Sequence, residues 1–260
     1  MTQQDHSSRK HALCSASSSE RWLECPGSVY LSLDAKEPPA SPAALEGTEA
    51  HELSERILAK WIESNFFLDD EYINMQREQY GEMFDYVMEY VHVCQSEAMA
   101  FEGTPSLRIE QRLVFSEDMQ MFGTADFLAT GKLEGKMTGT IVDLKYGKGK
   151  KVKTENNPQL AYYACALKKM SKKKLEQVRV TIVQPRIKGE SVSITYSLDD
   201  LRTWNKKLTL GAEKALMMAG EMKTPEYKEG QWCWFCPAKS NCPEIQKRLQ
   251  AQAVSLFAEE

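Results

Sequence analysis

Three short runs of alternating apolar and polar residues follow one another between residues 107 and 147: "LRIEQRLVF", "MFGTADFLAT" and "TGTIVDLKYG". Turn residues separate them, and a strand sends successive side chains to opposite faces, so the pattern predicts a three-strand meander. Helical periodicity lies on both sides. Ala50, Leu53, Ile57, Leu58 and Trp61 recur at helical spacing in "EGTEAHELSERILAKWIE". Residues 71–101 read as one long helical region with Tyr80, Phe84, Val87, Met88 and Val91 as its apolar stripe. "SASSSERWLEC" reads as a serine-capped helix and "AKEPPASPA" as a loop.

After the meander, "NPQLAYYACALKKM" returns to helical spacing, with Pro158 near its start and Leu160, Tyr163, Ala164 and Leu167 on one side. "KLEQVRVTIVQPR" and "SVSITYS" supply two more strands, a serine-capped helix follows, and the last segment carries cysteines before a final helix. The order of helices, three strands, helix, two strands and helices predicts an α/β fold, a central mixed β-sheet flanked by helices. With 260 residues, 42% of them hydrophobic, the chain can bury one sizeable core, and residues 1–260 are expected to form a single domain.

Charge and hydropathy narrow the classes. No apolar run approaches the roughly 20 residues that span a bilayer, and the polar start "MTQQDHSSRK" has no secretory apolar stretch, so a cytoplasmic protein without membrane partners is expected. The net charge of −4 gives no global case for nucleic acid, although lysines gather at 145–153 and 168–174. The second cluster, "KKMSKKK", reads as a solvated surface, while the loop after Asp143 is a candidate phosphate contact. "GKGKKVKT" lacks the spacing of a nucleotide-binding P-loop.

Two groups of residues carry chemistry. Asp126 and Asp143 fall on strands that a short connection makes neighbours, and two convergent carboxylates suit Mg²⁺ or Mn²⁺. Lys145, two residues beyond Asp143, shares its strand face and could stabilise charge that develops on a phosphoryl group. Glu110, on the preceding strand, is a weaker addition, either an acid that supports the site from behind, part of a second metal site or a solvent-facing strand residue, and Glu46 and Glu49 carry the same weak signal. The second group is Cys233, Cys236 and Cys242 in "CWFCPAKSNCP", a C-x2-C-x5-C array that signals a metal; Cys25 in "WLECPG" is the best fourth ligand. Spacing alone leaves zinc and an iron–sulfur cluster open. Trp22, Trp232 and Trp234 are expected to shield that group, or one of them to stack on an unpaired base, and Cys14, Cys94 and Cys165 read as buried or incidental thiols.

Together these stretches resemble the PD-(D/E)XK nuclease superfamily, and within it the RecB-like exonucleases. "GTEAH" is similar to the Gly-Thr-x-x-His motif, "GTADF" to the motif that supplies the first acid, "VDLKYG" to the acid-x-Lys motif and "QLAYYA" to the Gln-x-x-x-Tyr motif, all in the family's order. The resemblance implies a restriction-endonuclease-like core over about 44–220, with His51, Asp126, Asp143 and the Leu144 carbonyl around Mg²⁺ or Mn²⁺. It implies Lys145 as the catalytic neighbour, with Gln159 and Tyr163 orienting Lys145 or holding the DNA backbone. One cysteine before the motifs and three after them resemble the iron–sulfur nucleases of the CRISPR-associated and AddB types. This implies a [4Fe-4S] cluster on Cys25, Cys233, Cys236 and Cys242 that staples segments 12–30 and 228–255; Zn²⁺ is the alternative.

The function implied is a metal-dependent DNA exonuclease that acts on a single strand or duplex end, leaves a 5′-phosphate and serves phage recombination or repair beside a single-strand annealing protein. The alternative is a non-catalytic nucleic-acid-binding module with a structural metal cluster. Whether the chain forms a homo-oligomer stays open at this stage, as do cleavage polarity and strand preference.

Overall fold

A computed structural model of the chain describes residues 12–35, 39–149, 151–187 and 191–257. The polar start through residue 11, residues 36–38 of the "AKEPPASPA" loop and Lys150 of the lysine loop lie outside the described residues. Among the described residues five helices precede the sheet: α1 (Ser19–Glu24), α2 (Gly27–Ser32), α3 (Pro42–Glu63), α4 (Asp70–Tyr80) and α5 (Glu82–Met99). The meander follows as β1 (Glu102–Ser116), β2 (Met121–Leu133) and β3 (Lys136–Leu144), each antiparallel to the next. α6 (Pro158–Met170) then crosses the sheet, which lets β4 (Gln177–Val183) run parallel to β3, and β5 (Val192–Ser197) returns antiparallel to β4. α7 (Leu198–Ala219), two short 3-10 turns at Gln231–Cys233 and Lys239–Asn241, and α8 (Pro243–Phe257) complete the chain.

The result is a mixed five-stranded sheet of order β1-β2-β3-β4-β5, flanked by helices. α3 and α5 pack on one face, where Leu53, Trp61, Phe84, Val87, Phe127, Val142 and Leu144 form one core. α6 and α7 cover the other with Leu113, Met121, Ile141, Leu160, Val180 and Leu208, and α1 and the residues before it pack there too. β3 lies between the two layers, and its last seven residues are all buried; a central strand covered on both faces reads as a continuous apolar run. An aspartate buried within such a run is costly unless it is paired.

Local chemistry explains the helix starts. Ser41 accepts from the Ala44 amide, so α3 begins at Pro42, ahead of the apolar pattern that marks it in the sequence. Asn157 caps α6 with Pro158 in its first turn, and Ser197 and Asp200 form a reciprocal capping box at α7. The Ser18 side chain makes no such bond at α1. The single helix expected over 71–101 is two helices. Gly81, at φ 52° and ψ −129°, ends α4 and opens α5 in a backbone region that side chains disfavour, so the apolar stripe is divided between two axes. β1 also begins earlier than expected, at Glu102, with Pro105 tolerated because β1 is an edge strand.

The alternation of β1 and β2 slips at one level. Ala125 packs in the α6/α7 core and Phe127, two residues on, in the α3/α5 core. Across the pair, Leu113 joins the first core and Ile109 packs against the second. An unbroken strand would keep residues two apart on one face. The slip falls at Asp126 and at Glu110, whose φ of 47° is left-handed. Ile109 pairs with Phe127 and Gln111 with Ala125, so Glu110 and Asp126 lie opposite one another. Among the described residues, no helix is long and apolar enough to cross a membrane.

Candidate active site

Asp126 sits where β2 changes face, and it makes two contacts. Its Oδ2 accepts from the Leu144 amide at 2.7 Å, which fixes it against the end of β3, and its Oδ1 lies 3.5 Å from His51 Nδ1 on α3. Burial works against the His51 imidazolium, but the Asp126 carboxylate outweighs it and raises the His51 pKa. Glu110 joins them from β1. One ligand atom from each of His51, Glu110 and Asp126 lies within 4.8 Å of the other two, a spacing that a single divalent cation can bridge. Partial burial, reinforced by Asp126, pushes the Glu110 carboxyl up to about 7. A cation that binds there displaces the proton, so its uptake is favoured as pH rises.

Asp143 lies outside that three-residue group but close enough to act electrostatically on Asp126 and His51. Its side chain, only 4% exposed, forms an ion pair with Lys145, Oδ2 to Nζ 2.7 Å. Burial pushes the Asp143 carboxyl up and Lys145 opposes this. Burial also works against the Lys145 ammonium, yet Asp143, with Tyr163 and Asp126, holds Lys145 above the usual lysine range. The Lys145 amide donates to the Val183 carbonyl at 2.9 Å, so the β3–β4 ladder runs one residue past β3 and fixes the lysine backbone.

α6 brings Tyr163 and Gln159 to the same side. Tyr163 is buried, its hydroxyl bonds with the Gln159 side chain, and burial together with Asp143 keeps it a neutral phenol. Gly123, in the stretch "FGTADF", makes this approach possible: a Cβ there would lie 3.1 Å from both the Tyr163 ring and the Ala16 methyl. The glycine of that stretch therefore has a packing reason.

The structure thus brings His51, Asp126, Asp143, Leu144, Lys145, Gln159 and Tyr163 together where the middle of β2 meets the end of β3, but it divides the acids differently from the sequence expectation. His51, Asp126 and Glu110 converge, whereas Asp143 is bound to Lys145. Glu110 had a readable signal: it and Asp126 stand equally far from Asp118 in the turn between their strands, which places them opposite one another in a hairpin. Its left-handed φ had none. Glu46 pairs with Arg186 at 2.7 Å, which lowers its pKa, and Arg186 also lies over the Tyr146 ring at 4.6 Å. Glu49 is exposed. In the lysine loop, the Val152 amide donates to Gln184 Oε1 at 2.8 Å. Of "KKMSKKK", Lys169 and Lys173 donate to the Phe115 and Thr130 carbonyls of β1 and β2, so those two lysines cap strand backbone.

Cys25, Cys233, Cys236 and Cys242 line one pocket, with Arg21, Lys228, Trp232 and Lys239 around them. Backbone amides point at sulfur: Lys228 N–H to Cys25 Sγ at 3.3 Å and Gly230 N–H to Cys233 Sγ at 3.5 Å. Burial raises the Cys25 pKa, while the amides of Lys228 and Ser28 oppose it. Among the described residues no three of these sulfurs lie within 4.8 Å of one another, in contrast to the His51 group. The two ends of the chain also meet directly, through Gly27 N–H to Glu226 O at 2.9 Å, the Lys228–Glu24 pair at 2.7 Å and Gln231 to Glu20 at 2.9 Å.

The tryptophans depart from the shielding expectation. Trp232 lines the pocket, Trp22 is fully buried in the α6/α7 core, and Trp234 is 75% exposed. Cys14, Cys94 and Cys165 are buried, and burial pushes Cys14 and Cys165 up to about 12.

A family described as "Protein of unknown function (DUF2800)" matches residues 11–259. Two solved structures are similar in outline. A protein of Eubacterium rectale named "Putative exonuclease" has 13% identity and a TM-score of 0.48, covering 95% of this chain and 92% of its own. The protein SSO0001 has 16% identity and a TM-score of 0.37, covering 87% of this chain and 96% of its own.

Proposed function

The chain belongs to the DUF2800 family, and from its site we propose that it is a metal-dependent deoxyribonuclease of the PD-(D/E)XK type that acts on DNA ends. The observation that carries this reading is the placement, where the middle of β2 meets the end of β3, of a three-ligand group beside a buried Asp–Lys pair. His51, Glu110 and Asp126 offer one imidazole nitrogen and two carboxylates, a donor set that fits Mg²⁺ or Mn²⁺. When bound, such an ion supplies Lewis acidity at phosphorus and an acidified water. Asp143, buried against Lys145, is close enough to Asp126 to interact with it electrostatically.

The chain's own groups do the rest. Asp143 holds the Lys145 ammonium at 2.7 Å, and the raised lysine pKa keeps that charge in place over the working pH range. A fixed cation in a partly dry site stabilises negative charge as it develops on a phosphoryl group. Tyr163, held by Gln159, offers a neutral O–H beside the same pair and can position a phosphate oxygen. The Leu144 amide keeps Asp126 oriented, so the ligand does not depend on a flexible rotamer.

The four cysteines would hold a [4Fe-4S] cluster that fastens the two ends of the chain together. Four thiolates suit either a [4Fe-4S] cluster or a tetrahedral zinc, and the iron content of the protein separates the two. The deciding experiment uses anaerobically purified protein, with its iron content measured, and end-labelled single- and double-stranded DNA with Mn²⁺. Cleavage should occur in the wild type and collapse in Asp126→Ala and Lys145→Ala; equal cleavage by all three proteins removes the proposed site.

A further inference from the structure

The most exposed large aromatics in the described residues sit side by side in the cysteine loop. Trp234 is 75% exposed and Phe235 87%, in the stretch "CWFC". Two such rings at adjacent positions are costly to leave in water without a use, and their neighbours are cationic. The Lys239 ammonium lies 5.5 Å from the centre of the Trp234 ring, and Arg21 donates to the Phe235 carbonyl at 3.3 Å. Among the described residues neither Arg21 nor Lys239 forms an ion pair with a carboxylate. The carboxylates on either side of Arg21 are otherwise engaged, Glu24 by Lys228 and Glu20 by Gln231.

We propose that Trp234 and Phe235 form a stacking platform for unpaired nucleotides, with Arg21 and Lys239 as its phosphate contacts. Every base has a π-face, so paired aromatics beside positive charge hold a single strand without reading its sequence. The position of the loop agrees with that use. Ala16 lies beside Gly123 of the stretch that carries Asp126, and Arg21, five residues further along, reaches the aromatic loop, so one short segment runs from the strand of the candidate site to the platform. It rests on the shape of the cysteine loop: Trp234 and Phe235 stand between Cys233 and Cys236, whose side chains turn into the pocket while the rings project outward.

This platform deepens the nuclease reading by naming an unpaired strand as what reaches the site, and its test is independent of cleavage. Full-length protein in EDTA is titrated with fluorescein-labelled oligo(dT)20, and both anisotropy and tryptophan fluorescence are recorded. Wild-type emission should be quenched on binding, because Trp234 is the exposed indole. Trp234→Ala/Phe235→Ala should weaken binding about tenfold or more with unchanged circular dichroism. Trp234→Phe should retain most of the affinity while losing the quench. Binding and quench unaltered in the double variant would overturn the platform, and so would a double variant that binds normally but no longer self-associates in sedimentation, since the rings would then serve contacts between copies. If the wild type shows a Trp234-dependent quench but never cleaves DNA with Mn²⁺, the platform stands and the nuclease reading falls.

Discussion

The two candidate metal centres are built in opposite ways. The acidic one takes its residues from the middle of regular elements, His51 from α3, Glu110 from β1 and Asp126 from β2, and a backbone amide of β3 locks one of them. The thiol one takes its residues from the end of α1 and from the loop that holds the two 3-10 turns, and three of its four cysteines are half-exposed. The first is organised by the fold before anything binds. The second is held by a few amide-to-sulfur bonds and surface ion pairs that contribute little each, so the cluster proposed there would organise it on binding. On that proposal one centre is a product of the fold and the other one of its conditions.

That contrast can be broken at several points. The largest effect is expected at Lys145: its replacement by alanine should lower turnover about 10²–10³-fold, and Asp126→Ala at least as much, while iron content and far-ultraviolet circular dichroism stay at wild-type levels. A loss of iron in either variant would mean that the centres are not separable. Conversely, Cys25→Ser should strip the iron and lower the thermal midpoint by roughly 5–10 °C, with cleavage lost only as the protein unfolds.

Glu110 sharpens the acidic side. Its folded pKa of about 7 lies above the ordinary value of 4.5, so the native state binds more protons than the unfolded state between those limits. Stability contributed by the protonated form is complete below the lower limit and is lost as pH rises through the upper one. Melting in EDTA should therefore show a fall from pH 5 to pH 8 that Glu110→Gln lacks, and Mn²⁺ should raise the wild-type midpoint at pH 8 more than that of the variant. The smallest effect is expected at Gly123→Ala, whose methyl would press on Tyr163: a few-fold fall in turnover with the metal-induced shift in melting intact.

Much of the architecture was legible because it rests on periodicity. The meander, the α6 crossover and the capped α7 follow from alternation, helical spacing and single capping residues. Gly81 shows the limit, since a helical stripe continues across a break that only a backbone conformation makes. The candidate site was legible residue by residue but not in its grouping. His51, Asp126, Asp143, Lys145, Gln159 and Tyr163 could all be named, yet which acids converge depends on where β1 and β2 change face. Period-two reasoning assumes that this change does not occur. Trp234 failed for a related reason: a tryptophan beside ligand cysteines fits shielding by composition, and only the path of the loop turns it outward.

The split of the thiol pocket between the two ends of the chain sets an order of assembly during synthesis. His51, Glu110, Asp126, Asp143, Lys145 and Tyr163 have all been added when the ribosome is still roughly 80 residues short of Cys242. At ordinary elongation rates of about 5–20 residues per second, that gap lasts about 4–16 s. A nascent or prematurely terminated chain can hold every acidic ligand and still lack the means to close Cys25 onto its partners. The pocket can thus be completed only once translation has passed Cys242.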